Sequence, residues 1–324
     1  GGGPAGLGAA LAAAHKGAKT LLIEALPFLG GTGTRSLWMP MNRMLQNGAT
    51  RGGVHELFSR KLRSLGDTAF TAGRDNQFDG DNLDVHPEYS KLAAFELLEE
   101  AGCHYILHSP VIDTLTDGNN VKGVTVSTKS GPVHYYAKIV IDATGDGDVA
   151  FHAGAEMVKG NEEEEGRFMP VTLSFALANV DVDRAFTARY GDPSGSQWSK
   201  EVIDPVIEKA REAGYFVSSF YSFDRTTIPG VISVNNANWV DLGDLDATRN
   251  EHLTLAERAG LQLAHDFVRI CHEYELPGLE DCYLLRTGSS VAVRETRRIL
   301  GEYVLTVDDV RSGREFDDVV ARKY

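Results

Sequence analysis

The first six residues carry three glycines at a spacing that suits a phosphate-binding turn. Gly1, Gly3 and Gly6 fit the pattern G-x-G-x-x-G, with Pro4 and Ala5 between the last two. The first glycine allows a tight turn, the third residue lets a pyrophosphate approach the backbone, and the sixth lets helix and strand pack closely. Free amides at the start of the following helix favour the negative charge of a phosphate. The stretch therefore predicts a dinucleotide-binding turn.

A carboxylate follows at the distance that such a turn requires. Residues 19–24 (KTLLIE) predict a short apolar strand that ends at Glu24, about twenty residues after the turn. An acid there accepts hydrogen bonds from a ribose diol and repels a 2′-phosphate, which favours FAD or NAD over NADP. The alternative is an exposed acid at a strand end.

The turn needs a helix after it and a strand before it. Residues 7–14 form an alanine-rich pattern typical of a helix, and Gly17 is placed to end it. The sequence begins at Gly1 without a Met and without the preceding strand. We therefore expect it to be a fragment of a longer protein.

Residues 25–35 are too rich in glycine for the interior of a helix or strand. Gly30, Gly31 and Thr32 lie in this loop, which leaves the strand that ends at Glu24. We expect its backbone amides and hydroxyl groups to line the cofactor, with a plain surface loop as the alternative.

The next part of the chain predicts a mixture of helices and short strands. Two helices are predicted at residues 54–65 and 87–101, separated by a polar surface excursion at 67–85, and a strand follows at 103–107. Three further strands, at 111–116, 121–127 and 133–136, are separated by strong turn signals. They predict an antiparallel meander, where a plain NAD-binding fold would connect its strands by helices.

A second glycine turn follows residues 138–142 (KIVID), which predict a buried strand. At the carboxyl edge of a parallel sheet, such a junction binds ligands. Its candidate cofactor contacts are Ala143, Thr144, Gly145 and Asp146. Capping of free helix amides by Asp146 and Asp148 is an equally good interpretation.

The composition changes after about residue 155, and the glycine-rich phosphate turns end there. Strands are predicted at 172–180 and 228–234, helices at 199–213 and 247–274, and a solvated loop at the four consecutive glutamates of 161–166. We divide the chain into a cofactor domain (1–155), a substrate or cap domain (156–285) and a return toward the first domain (286–324).

An arginine-rich stretch lies near the end of the sequence. Arg294, Arg297 and Arg298 stand with two acids between apolar flanks. The planar guanidinium fork suits a carboxylate, a phosphate or a flavin carbonyl. A structural network of arginines and acids at a domain junction is the equal alternative.

The composition is that of an ordinary globular protein and disfavours several kinds of partner. The 324 residues are 42% hydrophobic and 24% charged, with a net charge of −14 and a pI near 5.2, which disfavours nucleic acid or an anionic membrane as partner. No apolar run approaches the roughly twenty residues of a membrane span. The three cysteines form no C-x-x-C pair and the histidines form no H-E-x-x-H motif, so we expect no metal site. The widely spaced cysteines are expected to be free thiols, which favours a cytoplasmic location.

Four motifs in this order resemble a known family: GGGPAG with Glu24, LGGTGT, IDATGDGDVA and VRETRRILGEYVLT. They are similar to the FAD-dependent oxidoreductases of the glutathione-reductase class, close to the fumarate reductase/succinate dehydrogenase flavoproteins. The resemblance covers nearly the whole chain. It implies an α/β fold, with a Rossmann-like FAD-binding domain whose parallel sheet carries a β-meander insertion, and an α+β substrate or cap domain.

The resemblance also implies contacts along the whole cofactor. They are Gly1, Gly3 and Gly6 at the pyrophosphate, Glu24 at the adenosine ribose, Gly30, Gly31 and Thr32 along the cofactor, Val111 at the adenine, and Thr144 and Gly145 at a second contact. Arg294 and Arg297 would lie where substrate meets flavin. The family's histidine for covalent attachment has no counterpart in LGGTGTRS, so noncovalent FAD is expected. The family's C-terminal segment, which closes over the flavin, does not follow Tyr324.

The function expected from these features is the transfer of a hydride between a small organic substrate and flavin, with an unidentified electron acceptor. Arg294 or Arg297 would stabilise developing negative charge. The alternatives are an NAD-dependent dehydrogenase and an FAD-binding fragment without catalysis. The acidic balance disfavours an RNA-modifying flavoenzyme. Substrate, acceptor and oligomeric state are left open by the sequence.

Overall fold

The computed structural model describes residues 1–38, 40–41, 45–46, 49–50, 52–72, 83–161, 166–195, 198–218, 220–235 and 245–318. Its helices are α1 Pro4–His15, α2 Thr32–Arg35, α3 Gly53–Ser64, α4 Pro87–Glu100, α5 Asp148–His152, α6 Val182–Tyr190, α7 Ile203–Glu212, α8 Asn250–Glu273 and α9 Val307–Ser312. Its strands are β1 Leu21–Ile23, β2 Pro40–Met41, β3 Leu45–Gln46, β4 Ala49–Thr50, β5 Phe70–Ala72, β6 Leu83–Val85, β7 His104–Ile106, β8 Val111–Asp117, β9 Asn120–Thr128, β10 Gly131–Tyr136, β11 Met157–Lys159, β12 Phe175–Ala178, β13 Ser222–Arg225, β14 Ile232–Asn235, β15 Tyr283–Thr287 and β16 Arg297–Ile299.

A parallel strand pair with helices against it supports the amino-terminal turn. β1 runs parallel to β7, with Leu21 opposite His104. α1 and α4 pack here through a buried apolar cluster that includes Leu7, Leu11 and Leu98. Helix α1 ends just before Gly17, whose φ of 82° lies in the left-handed region. The predicted helices α1, α3 and α4 and the strands β1 and β7 are confirmed.

The antiparallel meander is also confirmed. β9 pairs with β8 on one side and with β10 on the other. A Cβ on Gly123 would lie 2.1 Å from the carbonyl oxygen of Tyr135, so only glycine fits at this point of the ladder. The inner face of the meander packs Val124 and Val126 against Val149 at the start of α5. The meander thereby supports the second glycine turn.

Two predictions for the first half are wrong. Residues 138–142 form no strand, and Ile139 and Ile141 are 78% and 60% exposed. No described strand pairs with this segment, and a strand needs a neighbour for its backbone groups. Residues 67–85 are not only a surface excursion either, because β5 and β6 join β2 in a sheet and Val85 is buried. Residues 73–82 lie outside the described residues.

The second half is built on a four-stranded antiparallel sheet in the order β13-β14-β12-β15. The long helix α8 packs on it, and Phe267 stacks on Tyr221 with ring centroids 4.3 Å apart. The predicted strand 172–180 and the helix 247–274 are confirmed as β12 and α8. The predicted helix at 199–213 begins later, at Ile203, and the strand predicted at 228–234 begins at Ile232. α6 and β13 were not predicted, and residues 162–165 of the glutamate loop lie outside the described residues.

The two halves are joined near the end of the chain. β11 pairs antiparallel with β16, so that Lys159 lies opposite Arg297. Thr172 and Ala292 form a further backbone bridge. The arginine stretch therefore returns to the first half of the chain. Among the described helices, none is both long enough and apolar enough to cross a membrane.

Candidate functional site

The glycines at positions 1 and 6 are required by close backbone contacts. A Cβ on Gly1 would lie 1.9 Å from the carbonyl oxygen of Ala143, and one on Gly6 would lie 1.7 Å from the carbonyl oxygen of Gly1. No side chain fits at either position. The opening turn is thereby pressed against the second glycine turn on one side and against α1 on the other.

Gly3 differs, because a Cβ there would make only an ordinary van der Waals contact with the protein. The nearest atom to a Cβ on Gly3 would be the Cα of Gly31, at 3.6 Å. No side chain caps the start of α1, and Pro4 occupies its first turn. The first amides of a helix have no partner within the helix, and they carry its partial positive charge. The space at Gly3 therefore suits an anionic group that approaches the backbone.

Glu24 turns its carboxylate toward the opening turn. It is buried, with 8% of its surface exposed, and Oε2 accepts a hydrogen bond from the Gly2 amide. Its Oε1 accepts from the Leu26 amide at 2.7 Å. The amide of Ser109 donates to the Glu24 carbonyl at 2.9 Å, which brings the segment leading to the half-buried Val111 to the same place. Glu24 thus joins the turn to the end of β1.

The glycine loop completes a cradle, defined here as the surface formed by residues 1–6 together with residues 29–32. The amide of Gly30 donates to the Gly2 carbonyl at 2.8 Å. Gly30 and Gly31 have φ angles of 103° and 56°, and a Cβ on Gly31 would lie 2.7 Å from the Cα of Gly3. Both positions therefore require glycine. The loop also contains the short helix α2, which was not predicted, and it leaves Thr32 exposed.

At the second glycine turn, the capping carboxylate is Asp142. Its Oδ1 accepts from the Thr144 amide at 3.0 Å and its Oδ2 from the Ala150 amide at 3.0 Å. Burial opposes the charge on Asp142, but these hydrogen bonds outweigh it and lower the pKa of the carboxyl group. The predicted capping by Asp146 and Asp148 is wrong, because their side chains are bound by other groups.

Asp146 and Asp148 bind the arginine stretch. The Thr296 hydroxyl donates to Asp146 Oδ1 at 2.6 Å, and Arg297 forms an ion pair with the Asp148 carboxylate. The Arg297 guanidinium also lies 4.3 Å from the centre of the Phe151 ring. Burial raises the pKa of Asp148, an effect that Arg297 partly offsets. For Arg297, these contacts favour the structural interpretation.

The surroundings of Arg294 differ from those of Arg297 in exposure. Arg294 is exposed as a residue, yet enough protein surrounds its guanidinium group that desolvation lowers its pKa. Its neighbour Glu295 accepts a hydrogen bond from the Met169 amide at 3.0 Å and so fixes the backbone beside it. The two arginines that were offered as alternative candidates are therefore in different environments.

Arg35 was not identified as a site residue from the sequence. It ends α2, and its Nε donates to the Ser290 hydroxyl, 255 residues later. The Ser289 amide donates to the Arg35 carbonyl at 2.9 Å. The signal available in the sequence was its place at the end of the LGGTGTR loop, but its partner is too distant to be found from spacing.

Several of the predicted cofactor residues lie against one another. Gly1 lies against Ala143, Gly3 against Gly31, and Glu24 beside Gly2, while Asp146 contacts the arginine stretch.

A cavity of about 810 Å³ lies elsewhere, at the end of the antiparallel sheet, where it is lined by Arg184, Tyr283 and their neighbours. In the described ranges, no group of three or more His, Cys, Asp or Glu residues is arranged to hold a metal.

A family model described as FAD dependent oxidoreductase matches residues 1–324. Digeranylgeranylglycerophospholipid reductase of Picrophilus torridus is 30% identical over 215 residues, which cover 61% of this chain and 51% of that protein. The chain therefore spans about half the length of the curated relative that it matches.

Two solved structures share the fold. A geranylgeranyl bacteriochlorophyll reductase-like protein of Thermoplasma acidophilum gives a TM-score of 0.54 at 17% identity, over 90% of this chain and 64% of that one. The myxobacterial chondrochloren halogenase CndH, an FAD-dependent halogenase, gives 0.53 at 16% identity, over 91% of this chain and 62% of that one. The predicted α/β class with a Rossmann-type FAD-binding part is confirmed.

Proposed function

Because this chain belongs to the FAD-dependent oxidoreductase family, we propose that it transfers a hydride between a small organic substrate and noncovalently held FAD. FAD is the cofactor of that family. The observation that carries the proposal is the uncapped start of α1 beside the unobstructed backbone of Gly3, with the Glu24 carboxylate turned toward the same turn. A cradle of this kind accepts a diphosphate and its adjacent ribose.

Different residues of the cradle would bind different parts of FAD. The amides of Ala5 and Gly6 would face the diphosphate, since Pro4 has no N–H, and the missing Cβ of Gly3 gives it access. Glu24 would hold the adenosine ribose, and Val111 would place its backbone at the adenine. Further contacts would come from Gly30, Gly31 and Thr32 on one wall and from Ala143, Thr144, Gly145 and Asp146 on the other.

When bound, FAD supplies the capacity to accept or donate a hydride. The protein binds and orients the reactants and stabilises the charge that develops. We assign the last role to Arg294, whose guanidinium is partly desolvated. Arg297 would position the second glycine turn through Asp148 and Phe151 rather than meet the substrate.

Several finer assignments belong to this proposal. The likeness to the glutathione-reductase class and the fumarate reductase/succinate dehydrogenase flavoproteins depends on the four sequence motifs. The three domain ranges, 1–155, 156–285 and 286–324, are supported by separate apolar clusters around α1 and around α8. The free thiols of its three cysteines favour a reducing compartment such as the cytoplasm. The NAD-dependent alternative has no support from the family match.

The test is the flavin content of the purified protein after reconstitution with FAD and gel filtration. The expected result is a yellow protein that releases its flavin into the supernatant on acid precipitation, as noncovalent FAD does. Anaerobic bleaching by candidate organic reductants then identifies the substrate. A protein that stays colourless after reconstitution, or that binds NAD instead, contradicts the proposal.

A further inference from the structure

Arg35 connects the cradle to the antiparallel sheet of the second half. It is the last residue of α2, about one helical turn or roughly 5 Å beyond Gly31. Its carbonyl accepts the Ser289 amide and its Nε donates to the Ser290 hydroxyl. Both serines follow β15, so Arg35 is held where the glycine loop meets the end of that sheet.

The packing around this junction is tight. A Cβ on Gly288 would lie 3.0 Å from the Arg35 carbonyl oxygen and 3.5 Å from the Ser174 carbonyl oxygen. The Gly288 amide donates to Ser174 at 2.7 Å. Three segments therefore meet at Arg35, and the bond from Nε to Ser290 fixes the plane of its guanidinium group.

The charge of Arg35 has no acidic partner in the part of the chain that the structure describes. No carboxylate there lies within ion-pair distance of Arg35, whereas Arg184, Arg189 and Arg297 each pair with one. Arg35 is half-buried, and Ser290 occupies only its Nε. The described residues provide no hydrogen-bond partner for the two terminal nitrogens, which are arranged as a fork that matches two oxygens of an anion.

Buried polar atoms next to Arg35 point the same way. The Ser36 hydroxyl and the indole N–H of Trp38 are buried without a hydrogen-bond partner among the described residues, as is the hydroxyl of Ser174. Unpartnered buried polar groups are rare in folded proteins and often mark a site completed by a ligand or by water. Ser36 and Ser174 both approach Gly288 at this junction, so the segments that hold Arg35 also carry unpartnered buried polar groups.

From these observations, and on the basis of the proposed function, we propose that Arg35 binds an oxyanion of the organic substrate. The substrate class is thus a carboxylate or a phosphate ester rather than a neutral molecule. The diphosphate of FAD carries the same chemistry, but the proposed function assigns it to Gly3, which lies against Gly31 at the opposite end of α2. Arg35 contacts the segment that follows β15, in the part of the chain assigned to the substrate.

The experiment uses the FAD-loaded protein and follows the visible flavin spectrum during titration. The probes are benzoate, succinate and phenyl phosphate, with benzamide and succinamide as neutral counterparts. We expect at least one anion to bind and its neutral counterpart not to bind. Arg35→Gln should weaken that binding by about tenfold to a hundredfold, and Arg35→Lys by less, because the charge remains but the fork is lost.

Arg60→Gln is the matched control, since Arg60 is exposed on α3 and pairs with Glu56. It should bind the anion as the wild-type protein does. The inference is overturned if Arg35→Gln retains FAD and binds the anion with unchanged affinity, or if the FAD-loaded wild-type protein binds none of the anions. Loss of FAD itself from Arg35→Gln also overturns it, by assigning Arg35 to the cofactor. Failure of the wild-type protein to take up FAD refutes the proposed function, and the present inference with it.

Discussion

The Arg297 guanidinium is bound to the Asp148 carboxylate, and this ion pair joins the arginine stretch to the second glycine turn. Arg297 is mostly buried, with 12% of its side chain exposed, and its Nε also donates to the Asp146 carbonyl at 3.2 Å. Because Asp146 lies in the turn that packs against Gly1, the arginine stretch is connected to the cradle through this turn. These contacts give Arg297 a structural role at the second glycine turn.

Replacing Arg297 should therefore destabilise the protein. Arg297→Met leaves the half-buried Asp148 without its cation, and we expect a loss of about 1–2 kcal/mol in the free energy of unfolding, measured in urea. Arg298→Met is the control, because Arg298 is exposed and its side chain donates a hydrogen bond to the Gly160 carbonyl at 3.0 Å. Equal losses in the two variants would contradict the positional role of Arg297.

Gly3→Ala should weaken FAD binding without disturbing the fold. The added methyl group meets its nearest atom at 3.6 Å, so the protein tolerates it, but it fills the space beside the helix amides. We expect the FAD dissociation constant to rise by about tenfold or more, measured by fluorescence titration. Gly8→Ala in the same helix has nothing within 4 Å of its Cβ and should leave the affinity unchanged. Unchanged affinity in Gly3→Ala would place the diphosphate elsewhere.

Gly6→Ala should act on stability instead. Its Cβ would lie 1.7 Å from the Gly1 carbonyl oxygen, so the backbone of the turn has to move. We expect a loss of about 3 kcal/mol or more in the free energy of unfolding, by thermal and chemical denaturation. Gly8→Ala again serves as the control, and it should stabilise α1 by about 0.5–1 kcal/mol. A Gly6→Ala protein as stable as the wild type would refute the close contact of Gly6 with Gly1.

The Asp142 cap should make the second turn sensitive to acid. Hydrogen bonds lower the pKa of Asp142 in the folded protein, below its ordinary value of 3.8. Its contribution to stability is therefore complete above the ordinary pKa and is lost as the pH falls through the lowered one. We expect Asp142→Asn to reduce stability at neutral pH and to flatten the acid limb of the stability curve. The measurement is urea unfolding at a series of pH values from about 6 downward, and an acid limb as steep as that of the wild type would count against the cap.

The cradle was predictable because its requirements are encoded locally. Gly1, Gly3 and Gly6 leave a recognisable spacing, and Glu24 follows at a fixed distance along one strand and helix unit. The helices α1, α4 and α8 were predictable for the same reason, since apolar periodicity and end signals lie within each segment.

The structural features that were not predicted depend on residues that are remote in sequence. Residues 138–142 have the composition of a strand but lack a described neighbour to pair with. Asp142 caps an amide eight residues later, across the turn, while the nearer Asp146 and Asp148 bind Thr296 and Arg297. The pairing of Arg35 with Ser290 likewise exists only once both halves have folded.

The contact between Gly31 and Gly3 has an evolutionary consequence. A Cβ on Gly31 would come within 2.7 Å of the Gly3 Cα, so a side chain at position 31 would occupy space taken by the backbone of the opening turn. A substitution at position 31 therefore requires a change in the backbone at position 3. Among homologues, a side chain at position 31 should occur only together with a displaced or rebuilt first loop, and an alignment in which the two glycines vary independently would refute this linkage.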